Sequence, residues 1–434
     1  MEWYWFLIIT LALLVFMFTL GVPIFVSFLA VNLVGLWLVI GSRGFGMFTN
    51  SIYETVTSNT LTTIALFVLM GEVLFRSGAI DVIFDSLDRL LGAVRGRLYY
   101  FVISLSAIFG ALSGSALAVT AMLGRSALPT MQERGYDEKM SVGLILGGSC
   151  LAPIIPPSLM VIIIGSMVDV SIARLLVAGL VPGLIIVAFF VGYVWIATWK
   201  NKALTPEVDG RITKHEMGVG RALLNLVPFS IIIFFVLGLI ILGVATPSES
   251  AATGVLGSLI VASFYGRLSW SMMKMCVLSA VGISAMIIII LASSKLFGQL
   301  LAFAGATSGL VSLVAGLDID PIWILLLLLL IPFIACMFID QIAFMMVVIP
   351  IYTPLVALYG FEQIWFWTLF LIVISVGSLT PPFGYNLFAI KGARPSLSMS
   401  TIYRSAWPIV MCFLGALALL IAFPGVVTFL PGVI

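Results

Sequence analysis

Long apolar stretches, separated by short polar punctuation, fill the chain from end to end. They cover approximately residues 3–41, 55–75, 98–123, 141–168, 173–199, 222–244, 250–265, 276–303, 322–349, 364–390 and 405–430, with Gly21 and Pro23 dividing the first into two. A helix needs about 20 apolar residues to cross a hydrocarbon core, so the pattern predicts roughly 10 to 12 crossings and an all-α polytopic membrane protein. One clearly polar segment interrupts the series, KNKALTPEVDGRITKHEMGVGR at 200–221, with five Lys or Arg. The positive-inside rule places it in the cytoplasm.

Composition agrees with this reading and excludes others. Of 434 residues 62% are hydrophobic and 9% charged, with a mean hydropathy of +1.27. A soluble domain carries about 25% charged residues, so a water-soluble enzyme is ruled out. A formal charge of +2 gives no reason to expect a nucleic-acid partner. Cys150, Cys276, Cys336 and Cys412 each lie in apolar segments without a close pair, and His215 is the single histidine, so neither disulfides nor a metal centre is expected. Glu2 stands where a signal peptide carries lysine or arginine, and no small-residue cleavage pattern follows. The expectation is a retained first helix with an interfacial belt of Trp3, Tyr4 and Trp5.

The chain also repeats itself. A shift of 225 residues superposes Ser115 on Asp340, Ala118 on Ala343, Pro129 on Pro354, Gly135 on Gly360, and Pro156 and Pro157 on Pro381 and Pro382. A shift of 227 places Gly71–Ala79 on Gly298–Ala306. Residues 76–97 carry Arg76, Arg89, Arg95 and Arg97, whereas the equivalent 303–322 has no Lys or Arg but has Asp318 and Asp320. Residues 125–139 carry Arg125, Arg134 and Lys139, whereas 350–362 has only Glu362. Opposite charge at equivalent loops predicts an inverted repeat. One conflict stands: both basic loops flank the single apolar run 98–123.

Irregular backbone at membrane depth survives only where it is buried or lines a cavity, so breaks mark candidate sites. The strongest are GGSCLAPIIPPS (Gly147 to Ser158) and GSLTPPFGYN (Gly377 to Asn386), each with a Pro-Pro pair inside an apolar run. Proline lacks an N–H and clashes with the carbonyl four residues earlier. The carbonyls near Ala152, Pro153, Gly377 and Ser378 are therefore expected to be free for a cation, with Ser158, Thr380 and Asn386 alongside; a packing kink is the plain alternative. A second pair sets Ser113, Gly114 and Ser115 against Phe338–Ala343. Small residues there can be packing surface, but a carboxylate such as Asp340 deep in an apolar run points to an ion or substrate site. Lys295, in an apolar segment of the same half, either pairs with Asp340 or snorkels to the interface, and Glu72 and Glu249 share this ambiguity. A third feature, the hydroxyl-rich start of Thr55–Phe67, suggests a re-entrant hairpin with Ser58, Asn59 and Thr60 at its tip; a capped helix start competes.

With these motifs in view, the chain resembles nearly end to end the large membrane subunit of tripartite ATP-independent periplasmic (TRAP) transporters, the DctM-like family. The family's Gly-Gly-Thr-Leu-Gly, two residues, Pro-Pro-Ser pattern matches Gly147 to Ser158. Its Gly-Ser-Ala stretch matches Gly114 to Ala116, its Met-Phe-aliphatic-Asp matches Met337 to Asp340, and its Thr-Pro-Pro-aliphatic-Gly matches Thr380 to Gly384. Departures are Cys150, Leu151 and Ala152 in place of Thr-Leu-Gly, Cys336 in place of Gly, and Phe383 in place of an aliphatic residue.

The resemblance implies an inverted-repeat ion-transporter architecture with a scaffold, a moving transport domain, two re-entrant hairpins and discontinuous helices. It divides the chain into N-terminal scaffold helices (1–54), a first repeat (55–170), central scaffold helices with the cytoplasmic linker (171–275), a second repeat (276–395) and a C-terminal helix (396–434). It implies elevator-type import of a small organic anion, most often a carboxylate, driven by Na+ held by those carbonyls with Ser115, Asp340 and Thr380. No other cofactor is implied. The implied partners are a small four-helix membrane subunit and a soluble periplasmic binding protein, in a bacterial cytoplasmic (inner) membrane. A one-component sodium-coupled carboxylate carrier is the alternative, and an ion channel a more distant one. An ATPase is not expected, since the chain has no GxxxxGK[ST] phosphate loop.

Overall fold

The structure, a computed structural model, describes residues 2–90, 94–206, 218–317 and 319–434, without the side chains of Arg43, Asn59, Thr60, Leu61, Ala79, Ile80, Asp81, Phe84, Asp85, Asp88, Leu112 and Ser113. His215 and half of the 200–221 linker lie outside the described residues. The first half runs α1 (Trp3–Thr19), α2 (Ile24–Val39), α3 (Gly44–Val56), α4 (Asn59–Arg76), α5 (Ala79–Leu90), α6 (Arg97–Ser113), α7 (Ala116–Glu133), α8 (Glu138–Ser149), α9 (Leu159–Met167), α10 (Ile172–Ala178) and α11 (Leu180–Lys200). The second runs α12 (Val219–Ile233), α13 (Leu239–Ile241), α14 (Pro247–Phe264), α15 (Trp270–Phe303), α16 (Ala306–Ala315), α17 (Pro321–Ala335), α18 (Gln341–Leu358), α19 (Gln363–Gly377), α20 (Tyr385–Ala393), α21 (Met399–Ala422) and α22 (Gly425–Thr428).

Five helical stretches among the described residues are long and apolar enough to cross a membrane: Ile172–Lys200, Val219–Ile241, Trp270–Phe303, Gln341–Leu358 and Met399–Ala422. The apolar runs predict more crossings; part of the difference lies in breaks, and part in α1 and α2, which are unbroken but only 17 and 16 residues long. The runs at 98–123, 141–168, 322–349 and 364–390 are each split into two shorter helices. The protein is a polytopic helical membrane protein with discontinuous helices.

The repeat is reproduced element by element. Helices α7 and α18 begin and end 225 positions apart. The turns after them hold left-handed glycines at Gly135 (φ +77°) and Gly360 (φ +64°), conformations that cost glycine little. Asp137 and Glu362 then cap α8 and α19, their carboxylates accepting N–H bonds from the first turn. Both Pro-Pro peptides, Pro156–Pro157 and Pro381–Pro382, are cis. Helices α9 and α20 follow, nine residues each. The halves also interlock reciprocally, α7 packing on α20 and α18 on α9.

The split runs 98–123 and 322–349 each return to the side where they began. The rings of Tyr99, at the start of α6, and Tyr136, just after α7, lie 5.0 Å apart edge to face. The Tyr99 hydroxyl accepts from the Asp137 N–H (3.1 Å) and donates to the Leu204 carbonyl (2.6 Å). In the second half the Tyr359 hydroxyl, just after α18, donates to the Val314 carbonyl in α16 (3.4 Å), close to where α17 starts. The conflict over basic residues on both flanks of 98–123 is thereby removed: the chain doubles back at Gly114–Ser115, so both flanks share one end.

The hairpin expected around Ser58, Asn59 and Thr60 is corrected. Residues 59–76 form one uninterrupted helix, α4, and Ser58 immediately precedes it. The nearby hydroxyls have backbone partners, since Thr55 donates to the Ser51 carbonyl and Thr57 to the Tyr53 carbonyl, each at 2.8 Å. A run of threonines near a helix junction satisfies itself this way and needs no polar tip. The side chains of Asn59 and Thr60 lie outside the described residues. Around the two repeats, α4 packs on α14 and α15, and α2 on α15.

Candidate functional site

The two tips are built alike. In the first, Gly114 turns the chain with φ +61° and Ser115 caps α7, its hydroxyl accepting from the Ala118 N–H at 3.3 Å. In the second, Asp340 caps α18, Oδ1 accepting from the N–H groups of Ile342 (2.9 Å) and Ala343 (3.2 Å). A carboxylate at a helix N-terminus is favoured by the orphan N–H groups and by the helix dipole. That explains how Asp340 is held, and it leaves the carboxylate exposed.

Both tips open on one cavity of about 330 Å³. Gly114, Ser115 and Pro157 line it from the first repeat, and Asp340, Gln341 and Tyr385 from the second. The opposite wall is α4, with Phe67, Gly71 and Glu72, and α15, with Met286. Thus Ser115 and Asp340, far apart in sequence, share one chamber. The side chain of Ser113 lies outside the described residues.

Behind the cavity the Pro-Pro breaks form a buried polar layer. Ser158, Thr380 and Asn386 are fully buried. Asn386 donates through Nδ2 to the Ser378 hydroxyl (3.0 Å) and to the Cys150 sulfur (3.4 Å), bridging the two breaks. Its Oδ1 is buried without a partner, an arrangement that costs about 1–3 kcal/mol when nothing compensates it. The expected freeing of carbonyls needs correction at three positions. The Pro153 carbonyl accepts the Ser158 hydroxyl, that of Gly377 accepts the Thr380 N–H (3.1 Å), and that of Ser378 accepts the Asn386 N–H (3.2 Å). Proline deletes an N–H from the ladder, but hydroxyls and amides inside each break replace it, leaving one lone pair per carbonyl. The Thr380 hydroxyl donates to the Val376 carbonyl at 2.7 Å and keeps its own lone pairs. Pro156, Pro381, Pro382 and Gly384 complete the breaks.

Two site residues escaped the sequence reading. Gln341, with 1% exposure, donates to the Ile374 carbonyl (2.7 Å), and its Oε1 accepts from the Tyr385 hydroxyl (2.6 Å). This relay ties α18, α19 and α20 together next to Asp340. The available signal was an amide beside a carboxylate in an apolar run. The remaining charges sort themselves. Among the described residues the only ion pair is Glu72–Arg76 (3.1 Å), along α4, so Lys295 does not pair with Asp340. Glu249 belongs to a capping box with Thr246 at the start of α14.

A family model described as "Tripartite ATP-independent periplasmic transporter, DctM component" matches residues 10–426. The chain belongs to this family. Among its relatives, the ectoine/5-hydroxyectoine TRAP transporter large permease protein UehC of Ruegeria pomeroyi is 27% identical over 416 residues, 95% of each chain. The C4-dicarboxylate TRAP transporter large permease protein DctM of Pseudomonas aeruginosa is 28% identical over 384 residues, 88% of this chain and 87% of that one. In fold the chain is similar to the YdaH transporter of Alcanivorax borkumensis, with a TM-score of 0.68, 12% identity, and coverage of 89% and 90% of the two chains. This DctM-family chain is therefore a large permease subunit of the inner membrane, and not an enzyme.

Proposed function

We propose that this DctM-family chain imports a small organic anion, such as a C4-dicarboxylate or sugar acid, by sodium-coupled, elevator-type alternating access. The observation that carries the reading is the convergence of Ser115 and Asp340 on one cavity. Na+ is the co-substrate: a hydroxyl that already donates (Thr380), a carboxylate that caps a helix (Asp340) and carbonyls with one lone pair left (Pro153, Gly377, Ser378) form an oxygen-rich set suited to a hard cation. The orphaned Asn386 Oδ1 lies in the same layer. The doubled-back pairs α6–α7 and α17–α18 act as the re-entrant hairpins, and α4 and α15 as the fixed wall past which they move.

Driving force is sufficient. Each Na+ entering down a tenfold gradient supplies about 1.4 kcal/mol, and about 2.3 kcal/mol more per 100 mV. Two ions supply roughly 7 kcal/mol, enough for accumulation near 10⁵-fold of a solute whose charge adds no opposing term. Relatives named for ectoine and for C4-dicarboxylate show that one permease architecture serves different solutes. We assign solute selection to a periplasmic binding protein and the third part to a separate small membrane subunit. The test is uptake into proteoliposomes holding this chain and the small subunit, with and without a sodium gradient, and with and without binding proteins loaded with labelled organic acids. Dependence on both sustains the proposal. Uptake without a binding protein makes the chain a one-component carrier, and uptake indifferent to sodium removes the coupling.

A further inference from the structure

A second cavity, of about 320 Å³, opens between α8, α11 and α21 and shares no lining residue with the first. Lys139 at the start of α8 and Arg404 in the second turn of α21 line it, with Asp137, Tyr193, Leu204 and Ser405. Both cations are exposed, and among the described residues the only ion pair is Glu72–Arg76, so neither is neutralised by a carboxylate contact. The acidic group on the lining, Asp137, commits Oδ1 to the Met140 N–H at 2.8 Å as the cap of α8. The Ser405 hydroxyl donates to the Thr401 carbonyl at 2.7 Å. What remains is a cleft with excess positive charge, formed by side chains from two separate helices.

Its depth is marked from two directions. Arg95 donates to the Lys202 carbonyl (2.9 Å) and to the Thr205 hydroxyl (3.0 Å), which gathers Arg95, Lys200 and Lys202 at the same end as Lys139. The positive-inside rule makes that end cytoplasmic. On the outer face, Trp195 and Trp199 stack along α11 at 6.3 Å and stand 63% and 72% exposed, while Trp407 on α21 is 51% exposed. Exposed tryptophans next to a ring of cations are the signature of the membrane–water interface. The tryptophans thus mark this end of α11 and α21, the helices that flank the cleft, as interfacial.

We propose that this cleft binds the headgroup phosphate of an inner-leaflet phospholipid, the Arg404 guanidinium holding two of its oxygens and the Lys139 ammonium acting as a point charge. The lipid then ties the start of α8 to the start of α21. These helices already approach so closely that a Cβ on Gly143 would lie 2.5 Å from the Ser405 carbonyl oxygen. Since α8 leads directly into the Gly147–Ser158 break, the bound headgroup steadies one root of that break.

The test is native mass spectrometry of the full chain in mild detergent, titrated with phosphatidylglycerol, phosphatidylethanolamine and diacylglycerol. The two phospholipids should bind saturably at one site and diacylglycerol should not. Each surface cation contributes about fivefold to such binding, so Lys139→Gln with Arg404→Gln should weaken it about 25-fold. Lys139→Arg with Arg404→Lys keeps both charges and should retain the lipid, as should Arg267→Gln with Lys274→Gln, which removes two exposed cations elsewhere. Unchanged binding in the charge-removing variant overturns the assignment, and so does equal loss in the charge-keeping one. Complete displacement by millimolar inorganic phosphate also overturns it, by marking the cleft as a site for soluble anions.

Discussion

Ser115 and Asp340, 225 positions apart, occupy the same place in the two halves: each caps the helix that follows its break, and each lines the single cavity between them. The two caps differ in charge, a neutral hydroxyl at Ser115 and a carboxylate at Asp340. Asparagine caps a helix about as well as aspartate, so Asp340→Asn removes the charge and leaves the cap. Sodium-driven uptake should fall about tenfold to a hundredfold, the range expected when a charge-assisted contact of about 1.5–3 kcal/mol is lost. The melting temperature should hardly move. Uptake at the wild-type rate would remove Asp340 from the ion site.

The relay from Tyr385 through Gln341 to the Ile374 carbonyl makes a different prediction, one of positioning. Tyr385→Phe deletes the donor and strands a buried amide oxygen, a change worth about 1–3 kcal/mol. Thermal stability should drop accordingly, and the sodium concentration giving half-maximal uptake should rise because Gln341 flanks Asp340. Replacing Gln341 by Leu in the Tyr385→Phe background should add little further loss of uptake, since the relay is already cut. Additive losses in the double variant would show that the two residues act separately.

Much of this arrangement was legible along the chain because its signals are local. Paired prolines in apolar runs, a carboxylate at membrane depth and glycines recurring at a fixed offset gave the repeat and both breaks. The point where the first run doubles back was not legible. A left-handed Gly114 among small residues looks like packing surface, and the contact that closes the loop joins Tyr99 to Tyr136 across 37 positions. The hydroxyls around Thr55–Thr60 misled for the opposite reason. In composition they match a polar tip, yet Thr55 and Thr57 bond back to carbonyls of α3. Pairings such as Gln341 with Tyr385, or Cys150 with Asn386, depend on how α20 returns to the breaks, which no periodicity encodes.

Glu249 illustrates how a suspicious charge can be purely structural. Its carboxylate accepts from both the Thr246 N–H and the Thr246 hydroxyl at 2.8 Å, and the Thr246 hydroxyl accepts the Glu249 N–H at 3.3 Å. Glu249→Ala should lower the melting temperature slightly, because it removes one half of the capping box. Sodium dependence and uptake per folded molecule should match the wild type. A shift in the sodium requirement measured in proteoliposomes would return Glu249 to the functional set.

Gly384 separates a requirement for space from one for backbone freedom. Its φ is −46°, which any residue can adopt, but an added Cβ would lie 2.5 Å from the Ser378 carbonyl oxygen and 3.0 Å from the Thr380 nitrogen. Both are backbone atoms of the break, and the Ser378 carbonyl is also the acceptor for the Asn386 N–H. They cannot yield without opening the turn, so Gly384→Ala should sharply reduce the folded fraction, by the 1–3 kcal/mol or more typical of overpacking. Gly392 lies on the same helix with nothing within 4 Å of its added Cβ. There alanine should stabilise by up to about 1 kcal/mol, because it is the better helix former. Size-exclusion profiles and melting curves of the two variants in detergent decide the matter, and a well-folded Gly384→Ala would mean that the second break is looser than the approach of Ser378 to Gly384 implies.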